Sequence, residues 1–209
     1  YNNFMKNLPQ TVPVFPLSGV IYFPKTNLPL NIFEQRYLNL VNDAYKKDKL
    51  MGMVQSKKEG KSVYQIGCLG KISDYQKSRD GRILINLTGI SRFRILEEIS
   101  NNKLYREFKV DYKDFNEDIN DINNTIDTKP LMENVKNFFR RNGLLLNWKE
   151  FEKLDQFQKI NTLAMIAPIT NEEKQKLLEA ISFENKVEAL ESIISFYLHE
   201  TSFNNQTVQ

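Results

Sequence analysis

The side chains able to do chemistry are few. His199 is the sole histidine and Cys68 the sole cysteine of a 209-residue chain. A Ser-His-Asp or Cys-His system would have to route its proton through His199. That residue stands near the end of the last predicted helix, where a cationic side chain complements the carbonyl ends. One histidine and one cysteine do not make the ligand set of a usual zinc site, and Cys68 reads as a small core residue of a Gly-Cys-Leu-Gly strand. Gly60-Lys61-Ser62 matches the end of a phosphate-binding loop, but the glycine required five positions earlier is Gln55. The polar SKKEGKSVY around it joins two predicted strands, so no helix N-terminus follows to hold a phosphate. Ser100 and Lys103 have the Ser-x-x-Lys spacing of one acyl-transferring class and lack its companion motifs. Glu97-Glu98 and Glu172-Glu173 split across strand faces or serve a helix cap. The sequence predicts no catalytic residue, no cofactor and no metal ligand.

What remains is binding chemistry, and its carriers depend on the elements beneath them. Hydrophobic residues make up 41% and charged residues 26%, enough for a sizeable core without disulfide or metal staples. No apolar run approaches the ~20 residues needed to cross a bilayer, and the N-terminus lacks a basic region followed by an apolar run. A cytoplasmic location with no membrane partner is expected. Net charge is +3, divided as +8 over residues 1–115 and −5 over residues 116–209. A basic front half suits nucleic acid or an acidic protein, and equally a solvated lysine-rich surface.

The front half reads as strands around one helix. Residues 12–15 form an apolar run closed by Pro16, and residues 20–23 a second closed by Pro24. A helix is expected from about Ile32, capped by Asn31 with Glu34 reaching back. Its apolar face would be Phe33, Tyr37, Leu40, Val41 and Ala44. Further strands are predicted over residues 50–55, 63–76, 82–87, 89–99 and 105–115. Asp80-Gly81 makes a hairpin turn, and Gly67 and Gly70 mark bulges or barrel corners. Arg92 and Arg94 would share one strand face and Phe93 the other. The fold class is α+β: a partly closed barrel with one main helix over residues 1–115, then a polar linker over 116–128. A bundle of about four helices follows over 129–201, with a disordered tail over 202–209. The helix signals are Pro130, Gly143, the caps Asn147, Asp155 and Thr170 with Glu173, and Pro168 as a stop.

Four segments, in this order, resemble the N-terminal domain of the Lon protease family. They are VPVFPLSGVIYFPKTNLPLNIFEQRYLNLV (residues 12–41), YQIGCLGKI (64–72), DGR with LTGISRFRI (80–82 and 87–95), and NTLAMIAPITNEEKQKLLEA (161–180). The last is similar to the helical segment of stand-alone bacterial proteins of this type. The resemblance covers roughly residues 10–200. It implies a PUA-like barrel and a role in recognising polypeptide substrates. Full-length Lon adds an ATPase module and a Ser-Lys peptidase domain. These residues hold neither a complete phosphate-binding loop nor a counterpart of the peptidase serine motif, so an enzyme is not expected.

The function expected is a non-catalytic module binding unfolded or flexible polypeptide segments or another protein, as an adaptor in proteolysis or quality control. Phe33, Arg36, Tyr37, Arg92 and Phe93 are its candidate binding residues, with core packing the competing role for Phe33 and Tyr37. The alternative is an RNA-binding PUA-like protein using Tyr22, Tyr64, Tyr75 and Arg92 for stacking and phosphate contacts. DNA is not expected as a partner.

Overall fold

The computed structural model describes residues 8–57, 61–120 and 126–204, the last four as backbone alone. The chain divides into two units, Tyr1–Asp121 and Ile122–Gln209.

The first unit is a six-stranded sheet rolled on itself. Its strands are β1 (Thr11–Leu17), β2 (Asn27–Ile32), β3 (Leu50–Gln55), β4 (Ile66–Lys77), β5 (Ile83–Ile99) and β6 (Arg106–Asp111). They run in the order β2-β5-β4-β3-β1-β6, and β5 also pairs with β6, which closes the barrel. β1 lies parallel to β3 and antiparallel to β6. Closure through β5–β6 leaves β2, paired only with β5, as the edge strand. Inward side chains Val12, Val14, Val54, Leu69, Phe93, Phe108 and Val110 fill the interior.

β5 is one strand of 17 residues where two shorter ones are expected from the sequence. At the register shift beside Leu69/Gly70 the extra residue is Ile90 of β5, and the bulge on β4 falls at Ser73. Gly70, expected to mark a bulge, instead stands opposite one, where a Cβ would lie 2.6 Å from Leu87. At Gly67 a Cβ would lie 2.4 Å from Val54 and 2.7 Å from Phe93, so only hydrogen fits.

Two expectations in residues 20–34 are corrected. Ile21, Tyr22 and Phe23 are buried but form no strand. Thr26 bonds the Phe23 carbonyl (2.6 Å) and fixes a turn instead. The strand is Asn27–Ile32, whose apolar residues alternate at period two and which tolerates Pro29 because it is an edge. Asn31 is therefore paired in β2 with Leu84 rather than capping a helix. The helix, α1, starts later, at Gln35, and ends at Lys46 with Glu34 as a cap position that makes no side-chain cap bond. Tyr37, Leu40, Val41 and Ala44 are buried as expected, whereas Phe33 is 67% exposed because it precedes the helix.

Beyond β6 the chain turns through a 3-10 segment, Lys113–Asp118. The polar stretch expected to be a linker from residue 116 thus gives its first residues to this segment, and Asp118 is buried. Residues 121–125 lie outside the described residues.

The second unit is helical: α2 (Lys129–Arg141), the single turn α3 (Trp148–Phe151), α4 (Gln156–Ile166), α5 (Asn171–Glu179) and α6 (Phe183–Asn204). The caps read from sequence form. Asn147 accepts from the Glu150 N–H, and Asp155 and Thr170 make full capping boxes with Gln158 and Glu173. α6 packs against α2, α4 and α5. Phe138 meets Tyr197 and Phe157 stacks on Phe183 within this unit. Residues 202–204, expected to open a disordered tail, close α6, and residues 205–209 lie outside the described residues.

Candidate functional site

The start of α1 and the loop ends of the barrel enclose a cleft of about 560 Å³. Its wall combines Pro16 from β1, Arg36 and Tyr37 from α1, and Ser56 and Lys61 beside the β3–β4 connection. Glu98, Leu104, Tyr105 and Arg106 from the β5–β6 hairpin complete it. Tyr37 is held by packing: its ring centroid lies 3.9 Å from Phe15 and its hydroxyl donates to the Pro16 carbonyl (3.4 Å). Arg36 lays its guanidinium over the same ring at 4.5 Å while pairing with Glu34 at 2.9 Å. Burial pushes the Tyr37 hydroxyl above its ordinary value, against the opposing pull of Arg36.

Across the cleft, Arg106 grips Glu98 with two hydrogen bonds of 2.7 Å and donates a third to the Lys61 carbonyl (2.9 Å). This paired geometry holds the Glu98 carboxyl below the usual glutamate range and raises Arg106. Tyr105 donates to Asp43 of α1 (2.8 Å), tying the hairpin to the helix. Leu104 is 60% exposed at the rim and offers an apolar foothold. The cleft therefore presents aromatic and aliphatic surface framed by hydrogen-bonding groups of both charges. That mixture suits a peptide segment, which carries amide donors and acceptors along with side chains.

Of the five residues singled out by sequence, the structure brings Arg36 and Tyr37 together in the cleft. Phe33 is an exposed ring ahead of α1. Arg92 and Phe93 are buried and reach no surface. Phe93 faces the barrel interior. Arg92, on the opposite strand face, is covered by the 3-10 segment: it lies over the Phe115 ring and pairs with Asp118 at 2.9 Å. The expected basic face is thus half enclosed. Only Arg94 of the two reaches solvent, paired with Asp114 at 2.7 Å.

Reasoning along the sequence missed Lys61, Glu98, Leu104, Tyr105 and Arg106. The one signal available was the β5–β6 hairpin, which sets Glu98 beside Phe108 and so near Arg106. Of the groups expected for RNA contacts, Tyr22 and Arg92 are enclosed, while Tyr75 stacks on Tyr45 and bonds Asn42. Gly60 lies outside the described residues, and beyond Ser62 the chain enters a bridge at Val63 and then β4. No helix among the described residues is long and apolar enough to cross a membrane.

A family model described as the ATP-dependent protease La (LON) substrate-binding domain matches residues 11–195. The Lon protease of Syntrophus aciditrophicus is 28% identical over 207 residues, covering 91% of this chain and 26% of that protein. The Lon protease of Dictyoglomus thermophilum is 24% identical over 213 residues, covering 94% and 25%. The chain thus spans about a quarter of the length of these curated relatives. Among solved structures, a Lon N-terminal domain protein from Xanthomonas campestris superposes with a TM-score of 0.62 at 20% identity, over 88% of this chain and 97% of that one. The N-terminal domain of the Mycobacterium avium complex Lon protease gives 0.64 at 17%, over 88% and 98%. The fold is that of Lon N-terminal domains, and the chain belongs to the LON substrate-binding domain family.

Proposed function

We propose that the chain is a non-catalytic recognition module that holds flexible segments of client polypeptides in the Arg36–Tyr37–Arg106 cleft. It would act in the cytoplasm as an adaptor in proteolysis or quality control. The observation that carries this reading is the cleft's composition. Exposed Leu104 supplies apolar contact over the edges of the largely buried Tyr37 and Tyr105, and Arg36, Glu98 and Arg106 frame it with prepaired charge. Each guanidinium already has a carboxylate partner, so a client need not bring a strong charge. Burial of its side chains and hydrogen bonds to its backbone would supply the affinity. The family match supports a substrate-binding role, and exposed Phe33 ahead of α1 offers a further apolar contact.

The test is titration of a fluorescently labelled, permanently unfolded protein into the wild type and into Arg36→Ala and Leu104→Ser. Both positions are solvent-exposed, so the variants are expected to fold. An affinity loss of about tenfold, at ~1.4 kcal/mol per decade, is expected for the pair combined. Full affinity in both folded variants would remove the cleft from consideration. Binding of an RNA oligonucleotide that falls by orders of magnitude between ~50 and ~200 mM salt would favour the nucleic-acid reading instead.

A further inference from the structure

The second unit carries an apolar groove that the cleft reading does not use. α2 ends at Gly143, whose φ of +67° only glycine adopts readily. The Gly143 N–H bonds the Arg140 carbonyl and the Leu144 N–H bonds the Phe139 carbonyl, which fixes the exit of the chain. Leu144, Leu145 and Leu146 follow before Asn147 caps α3. Leu146 is half-buried, and the other two leucines stay at the surface. Leu145 is fully exposed and Leu144 is 38% exposed. Phe139 and Trp148, 6.0 Å apart between ring centroids, line the groove with them. Its volume is about 570 Å³, room for several aliphatic side chains.

The polar rim has one sign. Lys136 and Arg140 stand one turn apart on α2, on the same side of the groove. Lys136 lies 5.2 Å over the Trp148 ring and reaches Glu152 at 3.4 Å. Arg140 has no carboxylate partner among the described residues. Residues 122–209 hold 10 Lys+Arg and 12 Asp+Glu, so this rim is a local positive spot on an acidic unit.

We propose that this groove docks an acidic amphipathic helix of a partner protein, its leucine-type side chains seated against Leu145 and Trp148 and a carboxylate against Arg140. Charge complementarity selects the occupant: an apolar segment of the opposite sign meets an unmatched guanidinium, while a basic one meets repulsion. Helical spacing places apolar anchors on one face and acids beside them. The site is separate from the barrel cleft and does not depend on its role.

Trp148 is the chain's only tryptophan and so reports on the groove directly. The probe is a synthetic, tryptophan-free helical peptide with leucines at i, i+3 and i+7 and flanking glutamates, compared with its lysine-flanked twin. A saturable blue shift of Trp148 emission is expected, with the glutamate peptide bound at least tenfold tighter. Leu145→Ser should weaken it at least fivefold, Arg140→Glu should reverse the preference between the two peptides, and Arg36→Ala should leave it unchanged. Circular dichroism checks that each variant folds. Equal affinity for both peptides, no saturable emission change, or loss of binding in Arg36→Ala would overturn the proposal. So would self-association of the unliganded chain that Leu145→Ser dissolves, since a second copy would then cover the groove.

Discussion

Arg92 and Asp118, 26 positions apart, meet in an ion pair whose side chains are 1% and 0% exposed. Both the backbone N–H (2.8 Å) and the guanidinium (2.9 Å) of Arg92 donate to this one carboxylate. The reason lies in the edge of β5. That edge is paired with β2 up to Thr88 and with β6 from Arg94. In the gap, Gly89 bonds Thr26 and Lys25, and Asp118 takes the Arg92 N–H. A buried backbone donor without a partner would be costly, so the carboxylate completes the ladder as well as balancing the charge.

Asp118→Asn is expected to destabilise the first unit by about 3–5 kcal/mol, because it removes the buried carboxylate charge that accepts from both the guanidinium and the backbone N–H of Arg92. Urea unfolding followed by far-ultraviolet circular dichroism measures it. Replacing both partners with apolar residues, Arg92→Met with Asp118→Leu, should recover only part of the loss, since the two charges leave together but the backbone N–H at position 92 loses its acceptor. A single variant as stable as wild type would show that water reaches the site.

Gly67→Ala should cost about 1–3 kcal/mol through overpacking. The new methyl would lie 2.6 Å from the Met53 carbonyl oxygen as well as against Val54 and Phe93. Val54→Ala in the same chain relieves only one of these three contacts, so partial rescue in thermal melts is the expected pattern.

The Glu98 carboxyl sits below its ordinary 4.5 because Arg106 donates to it. With the folded pKa lower than the unfolded one, the pair's contribution is complete above about pH 4.5 and is lost as pH falls through the folded value. Client binding in the cleft should thus be flat from pH 7 to about 5 and change only in stronger acid. In Arg106→Gln the carboxyl should titrate higher, towards 4.5, by side-chain carboxyl NMR. An unshifted midpoint in that variant would mean that another donor holds the carboxylate.

Thr170→Ala removes the oxygen that accepts the Glu173 N–H at the start of α5. A loss of about 1 kcal/mol is expected. Thr170→Ser should retain most of it, which separates the cap from a packing effect.

The helical unit was largely legible in the sequence because its signals are local. A cap and its partner lie three residues apart, as Thr170 and Glu173 do, and Gly143 marks its own stop. The barrel's strands were legible in outline, but the segment before α1 was not. Leu28, Leu30 and Ile32 alternate as a strand, yet Asn31 and Glu34 have the spacing of a capping box, and the edge pairing with β5 decided between them. That choice moved Phe33 out of the core. Arg92 and Asp118 were illegible for the opposite reason. An arginine in a strand and an aspartate in a polar stretch carry no sign of one another until the 3-10 segment folds over β5. The cleft needed the same long-range information, since its residues come from β1, α1, the β3–β4 connection and the β5–β6 hairpin.

The pairing of β1 with β6 has a consequence for how the chain is made. Thr11 is placed opposite Lys109, and nothing synthesised between them can substitute for that partner. At ~5–20 residues per second, β1 waits on the order of 5–20 s for it on the ribosome. During that interval Val12 and Val14, the inward residues of β1, have no closed interior to enter. In the second unit α2 also waits for α6, whose Tyr197 meets Phe138, but across a shorter stretch of sequence. A nascent chain stalled before residue 109 is therefore an unclosed sheet with its apolar lining on display, the state in which a chaperone would find it.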